Sequence, residues 1–278
     1  MVSSVAPDRA LDLARRIEDR LAANDHHGIS VEEVRALACK VFGKQEGDAA
    51  AERFERWHDF QMLGQPLLLL LGGGTGVGKS TVATELARHL GITRVSSTDF
   101  IRQVLRSVVP ETIAPELARS SFELDDGRSR SGDTPHAEFE RQAQQVLVGV
   151  HAEMERAVKE GIPLILEGTH LLPGEVDLDA VSGGLPVHVV LAVDDRDDHQ
   201  HRFATRADSS ARPAERYDQG LDAIRDLQEH VVTTARNIGI PVVPNRQLDL
   251  TVRRVLDVVF DAVDAFTAER RAGPAAAA

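Results

Sequence analysis

Residues 73–80 read Gly-Gly-Thr-Gly-Val-Gly-Lys-Ser and fill every fixed position of the phosphate-binding loop G-x-x-x-x-G-K-[ST]. This feature constrains the fold because such a loop works only between a strand and a helix. Both flanks fit. Leu67–Leu71 is an apolar run that reads as a buried strand, and Thr81–Leu90 reads as a helix with Val82, Leu86 and Leu90 on one face. Gly73, Gly74, Thr75, Gly76, Val77 and Gly78 supply backbone amides for phosphate, and Thr81 continues that surface into the helix. Lys79 is expected to reach the β- and γ-phosphates of ATP, and Ser80 to hold Mg²⁺.

The rest of the chain extends the same alternation. Further strands are expected near Thr93–Ser97, Pro163–Glu167, Val187–Val193 and Ile240–Val243. Between and after them come helices near 98–109, 135–160, 213–237 and 250–267. Strands alternating with helices predict an α/β domain: a five-stranded parallel sheet with helices on both faces, over residues 66–270. Residues 1–65 read as a small helical module. Leu11, Ala14, Ile17 and Leu21 recur at helical spacing, and Ser30 with Glu33 forms a capping-box pattern ahead of a second helix. Asp125–Thr134 reads as a mobile loop, and the tail 271–278 as disordered.

Composition narrows the partners. A formal net charge of -12 disfavours a nucleic-acid or anionic-membrane surface. A single cysteine, Cys39, excludes an intramolecular disulfide. No run of apolar residues reaches membrane-spanning length and no signal-peptide pattern appears, so a cytoplasmic protein acting on a small molecule is expected. The only lysines are Lys40, Lys44, Lys79 and Lys159. Any second anion clamp must therefore be built from arginine, whose planar fork suits phosphate and carboxylate.

Ligands of open parallel sheets sit outside the carboxyl ends of the strands, so strand-end residues carry the chemistry. Asp99 follows the second strand and is suited to orient or deprotonate an acceptor hydroxyl; the bland alternative is a helix cap. Arg102 and Arg106 continue its helical face and are suited to hold an acidic substrate. Glu167 ends the third strand beside Gly168, where it can hold a magnesium-bound water or a substrate hydroxyl, or simply be ion-paired. His170, three residues on, reads equally as a substrate contact or a hydrogen-bonded structural residue. Arg202 and Arg206 lie four apart on one helical face, ahead of a polar loop at Ser209–Pro213 and of Arg216. They read as lid arginines that neutralise the transferring phosphate, or as a surface ion-pair helix.

Taken in order, these segments resemble the 2-phosphoglycerate kinase family, which uses ATP to convert 2-phosphoglycerate to 2,3-bisphosphoglycerate. The resemblance rests on residues 72–81, Ser-Thr-Asp-Phe-Ile-Arg at 97–102 and Leu-Glu-Gly-Thr-His-Leu-Leu-Pro-Gly at 166–174. It continues in His-Arg-Phe-Ala-Thr-Arg at 201–206, Glu-Arg-Tyr at 215–217 and Gly-Ile-Pro-Val-Val-Pro-Asn at 239–245. It implies a P-loop NTPase fold of nucleoside-monophosphate-kinase type, with an N-terminal region that keeps only the later helices of an ATP-cone. It also implies that Asp99, Arg102, Glu167 and the lid arginines surround the acceptor. Two other readings stay open: a kinase for another metabolite, antibiotic or nucleotide sugar, and a nucleotide sensor with little turnover.

Overall fold

The computed structural model describes residues 7–24, 28–119, 136–178, 181–209 and 220–272, with backbone alone at 7–8 and 204–209. The chain divides into two compact units, 1–64 with 256–278, and 65–255.

In the first unit, α1 (Pro7–Ala23), α2 (Val31–Phe42) and α3 (Lys44–Met62) form the helical module. The capping box at α2 is present: Ser30 Oγ accepts from the Glu33 amide at 3.2 Å and Glu33 Oε2 from the Ser30 amide at 3.1 Å. The end of the last helix, α9 (Leu248–Ala272), belongs to this unit. There Phe260 meets Trp57 edge-on at 6.3 Å, Phe266 meets Phe60 at 6.0 Å, and Asp257 pairs with Arg53 at 3.2 Å. Helix α9 is longer at both ends than its apolar periodicity predicts, and Arg271, expected in a loose tail, is helical and pairs with Asp59 at 2.6 Å. Residues 273–278 lie outside the described residues.

The second unit holds β1 (Leu67–Gly73), α4 (Lys79–Leu90), β2 (Arg94–Ser97), α5 (Thr98–Val108), α6 (Ala137–Glu160) and β3 (Leu164–Glu167). It continues with β4 (Leu185–Ala192), α7 (Arg196–Ser209), α8 (Leu221–Asn237), β5 (Val242–Pro244) and the start of α9. The five strands are parallel in the order β2-β3-β1-β4-β5. β1 is central, pairing Leu68–Leu71 with Leu164–Glu167 on one side and Leu67–Gly73 with Leu185–Leu191 on the other. Every β1 residue is buried, as a strand covered on both faces requires. On one face Leu68, Leu70, Leu164 and Leu166 pack against Val146, Val150 and Met154 of α6 and Ile101 of α5. Further along, Val190 and Ala192 pack with Leu227 and Val231 of α8. Helix α4 contacts β1, β2 and β3.

Element boundaries shift from those expected. Helix α4 begins at Lys79 rather than Thr81, because Gly78 takes the left-handed conformation (φ +89°) that lets the chain enter the helix there. Strands β4 and β5 run 185–192 and 242–244 rather than 187–193 and 240–243. The expected starts of α6 at Pro135 and of α8 at Pro213 lie outside the described residues, as do the loops at 125–134 and 210–213.

Candidate functional site

The loop after β1 and the ends of β2 and β3 form one rim of the sheet. Gly73 (φ +136°), Gly76 (φ +83°) and Gly78 all carry positive φ, which side-chain-bearing residues rarely adopt. No side chain caps α4, so its first amides are available at the positive end of the helix dipole. Lys79, nearly buried, donates from Nζ to the carbonyls of Gly73 (3.0 Å) and Gly74 (2.8 Å) and so spans the loop from within. Ser80 donates its hydroxyl to Glu167 Oε1 at 2.9 Å. Glu167 is 8% exposed. The P-loop hydroxyl and the β3 strand-end acid thus meet directly.

Asp99 lies in the first turn of α5, yet it does not cap that helix. Ser97 does, accepting from the Phe100 amide at 3.1 Å, a role the sequence reading did not give it. The Asp99 side chain is 63% exposed, with Arg102 Nε 3.9 Å from its Oδ1. Arg102 is largely covered and turns Nη1 to the carbonyls of Leu117 (3.0 Å) and Arg119 (2.9 Å). It therefore braces the 3₁₀ turn Pro115–Ala118 as well as flanking Asp99. Arg106 is exposed one turn further along α5.

His170 departs from one of its two expected roles, the substrate contact, and takes the other, a hydrogen-bonded structural residue. It is 0% exposed, with Nδ1 2.8 Å from Thr98 Oγ1 and Nε2 3.0 Å from Gln142 Oε1. Gln142 Nε2 donates to the carbonyls of Glu116 and Arg119, so its Oε1 must accept. His170 is then the Nε2–H tautomer, and Thr98 donates to Nδ1. Burial holds the ring at about 4, below its ordinary 6.5; Asp99 pulls upward, and Arg102 and Lys79 push downward. Gly168 permits this closure, since a Cβ there would lie 1.8 Å from Thr98 Oγ1. The result is a neutral relay tying the end of β3 to α5 and α6.

Arg202 also departs from expectation. Rather than standing on a lid, it is partly buried against the P-loop, donating to the carbonyl of Val77 at 3.3 Å and to that of Asn245. Burial lowers its pKa from the usual guanidinium value. Arg206 lies one turn on along α7, with its side chain outside the described atoms, and Arg216 lies outside the described residues. The neighbours of Arg202 escaped sequence reasoning. Asn245 Nδ2 donates to the Val77 carbonyl at 2.7 Å, and His199 Nε2 lies 2.8 Å from the Thr75 carbonyl. Gln228 holds both backbone groups of Val193 at 3.0 Å. Asn245 directly follows β5, so the strand-end rule that selected Asp99 and Glu167 points to it as well.

A family profile described as an AAA domain matches residues 68–231. The 2-phosphoglycerate kinase of Pyrococcus horikoshii is 36% identical over 258 residues, covering 91% of this chain and 84% of its own length. That of Methanothermobacter thermautotrophicus is 33% identical over 257 residues, covering 90% and 83%. Among solved structures, a shikimate kinase from Acinetobacter baumannii in complex with shikimate superposes with a TM-score of 0.44 at 14% identity, over 73% of this chain and 97% of that one. A likeness of that size carries no argument about the acceptor.

Proposed function

The chain belongs to the 2-phosphoglycerate kinase family, and from this premise we propose that it transfers the γ-phosphoryl group of ATP to the free hydroxyl of 2-phosphoglycerate, giving 2,3-bisphosphoglycerate and ADP. The observation that carries this reading is the 2.9 Å contact between Ser80 and Glu167 at the mouth of the P-loop. It joins two hard oxygen donors beside an amide cradle, which suits a magnesium nucleotide.

The residues present fit such a ligand. A Cβ at Gly76 or Gly78 would strike Phe203 or Asn245, so the loop exists in this form only as glycine backbone with its amides available. Among the described residues no group of three or more His, Cys, Asp or Glu side chains could hold a metal alone. Mg²⁺ keeps water and phosphate oxygens as ligands and takes few from protein. Ser80 would be the direct protein ligand and Glu167 would hold a metal-bound water. When bound, the ion would neutralise charge developing on the phosphates.

The chain's own groups supply the rest. Lys79 leaves the carbonyls of Gly73 and Gly74 for the terminal phosphates. Asp99, exposed at the rim, orients the acceptor hydroxyl and takes its proton as the new O–P bond forms. Arg102 and Arg106 are placed to hold the anionic groups of the acceptor, while the role of Arg206 and Arg216 as arginines that neutralise the transferring phosphate rests on the sequence alone. Arg202 supports the loop from behind.

An ADP-release assay across phosphoglycerates, sugars and nucleosides tests the proposal, with the product identified by mass. Stimulation by 2-phosphoglycerate is expected. Stimulation by a different acceptor alone would overturn the acceptor and leave the kinase. Tight ATP binding without stimulation by any acceptor would favour a nucleotide sensor.

A further inference from the structure

We propose that His199 and Asn245 are positioning residues for the nucleotide, holding the carbonyls of Thr75 and Val77 outward so that the amides of Gly76 and Gly78 face the phosphate side. The inference rests on reading the loop as a nucleotide site, and goes beyond it by naming what shapes the loop.

All peptide bonds described are trans, so each carbonyl points opposite to the amide of the next residue. The carbonyls of Gly73 and Gly74 turn inward to Lys79. Those of Thr75 and Val77 turn the other way, to His199 Nε2 at 2.8 Å and Asn245 Nδ2 at 2.7 Å. Two peptide planes are thereby fixed with Gly76 and Gly78 amides directed inward.

Both clasping groups are themselves held. Asn245 Oδ1 lies 2.9 Å from the Thr251 hydroxyl, which has the Gln247 carbonyl at the same distance, and the Asn245 backbone N–H donates to the Ala192 carbonyl at 2.8 Å. His199 is fully buried and stacks on Phe203 at 5.2 Å. Its Nδ1 has no hydrogen-bond partner among the described residues, so the Thr75 carbonyl is its one hydrogen-bonding contact. A phenyl ring would fill the same space without a buried idle nitrogen, which points to the donor as the reason for histidine. Burial lowers the imidazole pKa against the upward pull of the Thr75 carbonyl, with nearby Arg225, Arg202 and Lys79 adding to the lowering; a carbonyl only accepts, so Nε2 carries the proton in this contact. The approach is close enough to require glycine opposite: a Cβ at Gly76 would sit 2.4 Å from Phe203 Cζ and 3.0 Å from His199 Nε2, and one at Gly78 2.6 Å from Asn245 Nδ2.

The test compares His199→Phe, which keeps the ring and removes the donor, with His199→Gln, whose amide can replace Nε2–H. ATP affinity is measured by calorimetric titration, alongside KM for ATP, kcat, acceptor KM and circular dichroism. His199→Phe is expected to weaken ATP binding about tenfold, equivalent to about 1.4 kcal/mol, with acceptor KM unchanged and His199→Gln recovering most of the loss. Thr251→Val, a smaller change that frees the Asn245 amide, is expected to weaken ATP in the same selective way and serves if the histidine variants do not fold. ATP affinity unchanged in folded His199→Phe or Thr251→Val, or equal losses in Phe and Gln, would overturn the clasp alone. Failure of the unaltered chain to bind ATP would remove the nucleotide reading, and the clasp with it.

Discussion

Asp99 and Glu167 are both acids at strand ends, yet their surroundings assign them different work. Asp99 is mostly exposed with a guanidinium at 3.9 Å, whereas Glu167 is buried and accepts from Ser80. An exposed acid can meet an incoming hydroxyl; a buried acid bonded to the P-loop serine can only act on what the serine holds. Asp99→Asn keeps shape and removes the base. It is expected to lower kcat by about 10²–10⁴-fold while leaving ATP affinity near its original value. Steady-state kinetics paired with an ATP titration decide this, and an unchanged kcat removes Asp99 from the chemistry. Glu167→Gln should instead raise the Mg²⁺ concentration needed for half-maximal activity. If the Mg²⁺ dependence does not move, Glu167 does not hold the metal's water.

Elements were legible in the sequence wherever local periodicity and a turn signal coincided. β1, the P-loop and α4 are such a case, and so is α2 behind Ser30 and Glu33. What local pattern could not show is which polar side chain closes onto which distant carbonyl. Asn245 and Val77 are 168 residues apart, His199 and Thr75 124. His170 stands at a strand end, the position that exposes Asp99, but Thr98 and Gln142 close over it. This burial has a consequence for pH. His170 and His188 are both held at about 4 by burial, against 6.5 in an open chain. Below 6.5 the unfolded chain takes up protons that the folded chain refuses until about 4. Their contribution is therefore complete above 6.5 and is lost as pH falls from 6.5 towards 4. Between pH 7 and pH 5 the loss is about 2 kcal/mol for each histidine. His89, His199 and His230, which burial also lowers, add to the loss in the same direction, whereas exposed carboxylates with lowered pKa values act mainly below 4.5. Urea midpoints at pH 7 and pH 5 measure the effect. Equal midpoints would show that neither imidazole is held neutral by the fold.

At the scale of the whole molecule, the chain's two ends build one unit and its middle builds the other. The division falls inside α9, at Leu256, so that a single helix carries buried residues assigned to both units, Val252 and Val255 to the sheet unit and Phe260 and Val263 to the helical unit. The sequence divides at 65/66, where a Pro-led turn marks the start of β1, and at 270/271, ahead of the expected tail, because nothing local marks a change of company within α9. The apolar spacing of a helix is the same whichever partner it packs against. The consequence is testable by truncation. A chain beginning at Gln65 and running to 278 keeps Phe260 and Phe266 but loses Trp57 and Phe60, their aromatic neighbours within the unit. It is expected to bind a hydrophobic dye and to self-associate in sedimentation, because a bared apolar patch seeks a new cover. A chain of residues 65–255 lacks the bared segment and is expected to show less of both. If 65–278 sediments as a monomer with no more dye binding than 65–255, then the last turns of α9 do not depend on the N-terminal helices for their cover.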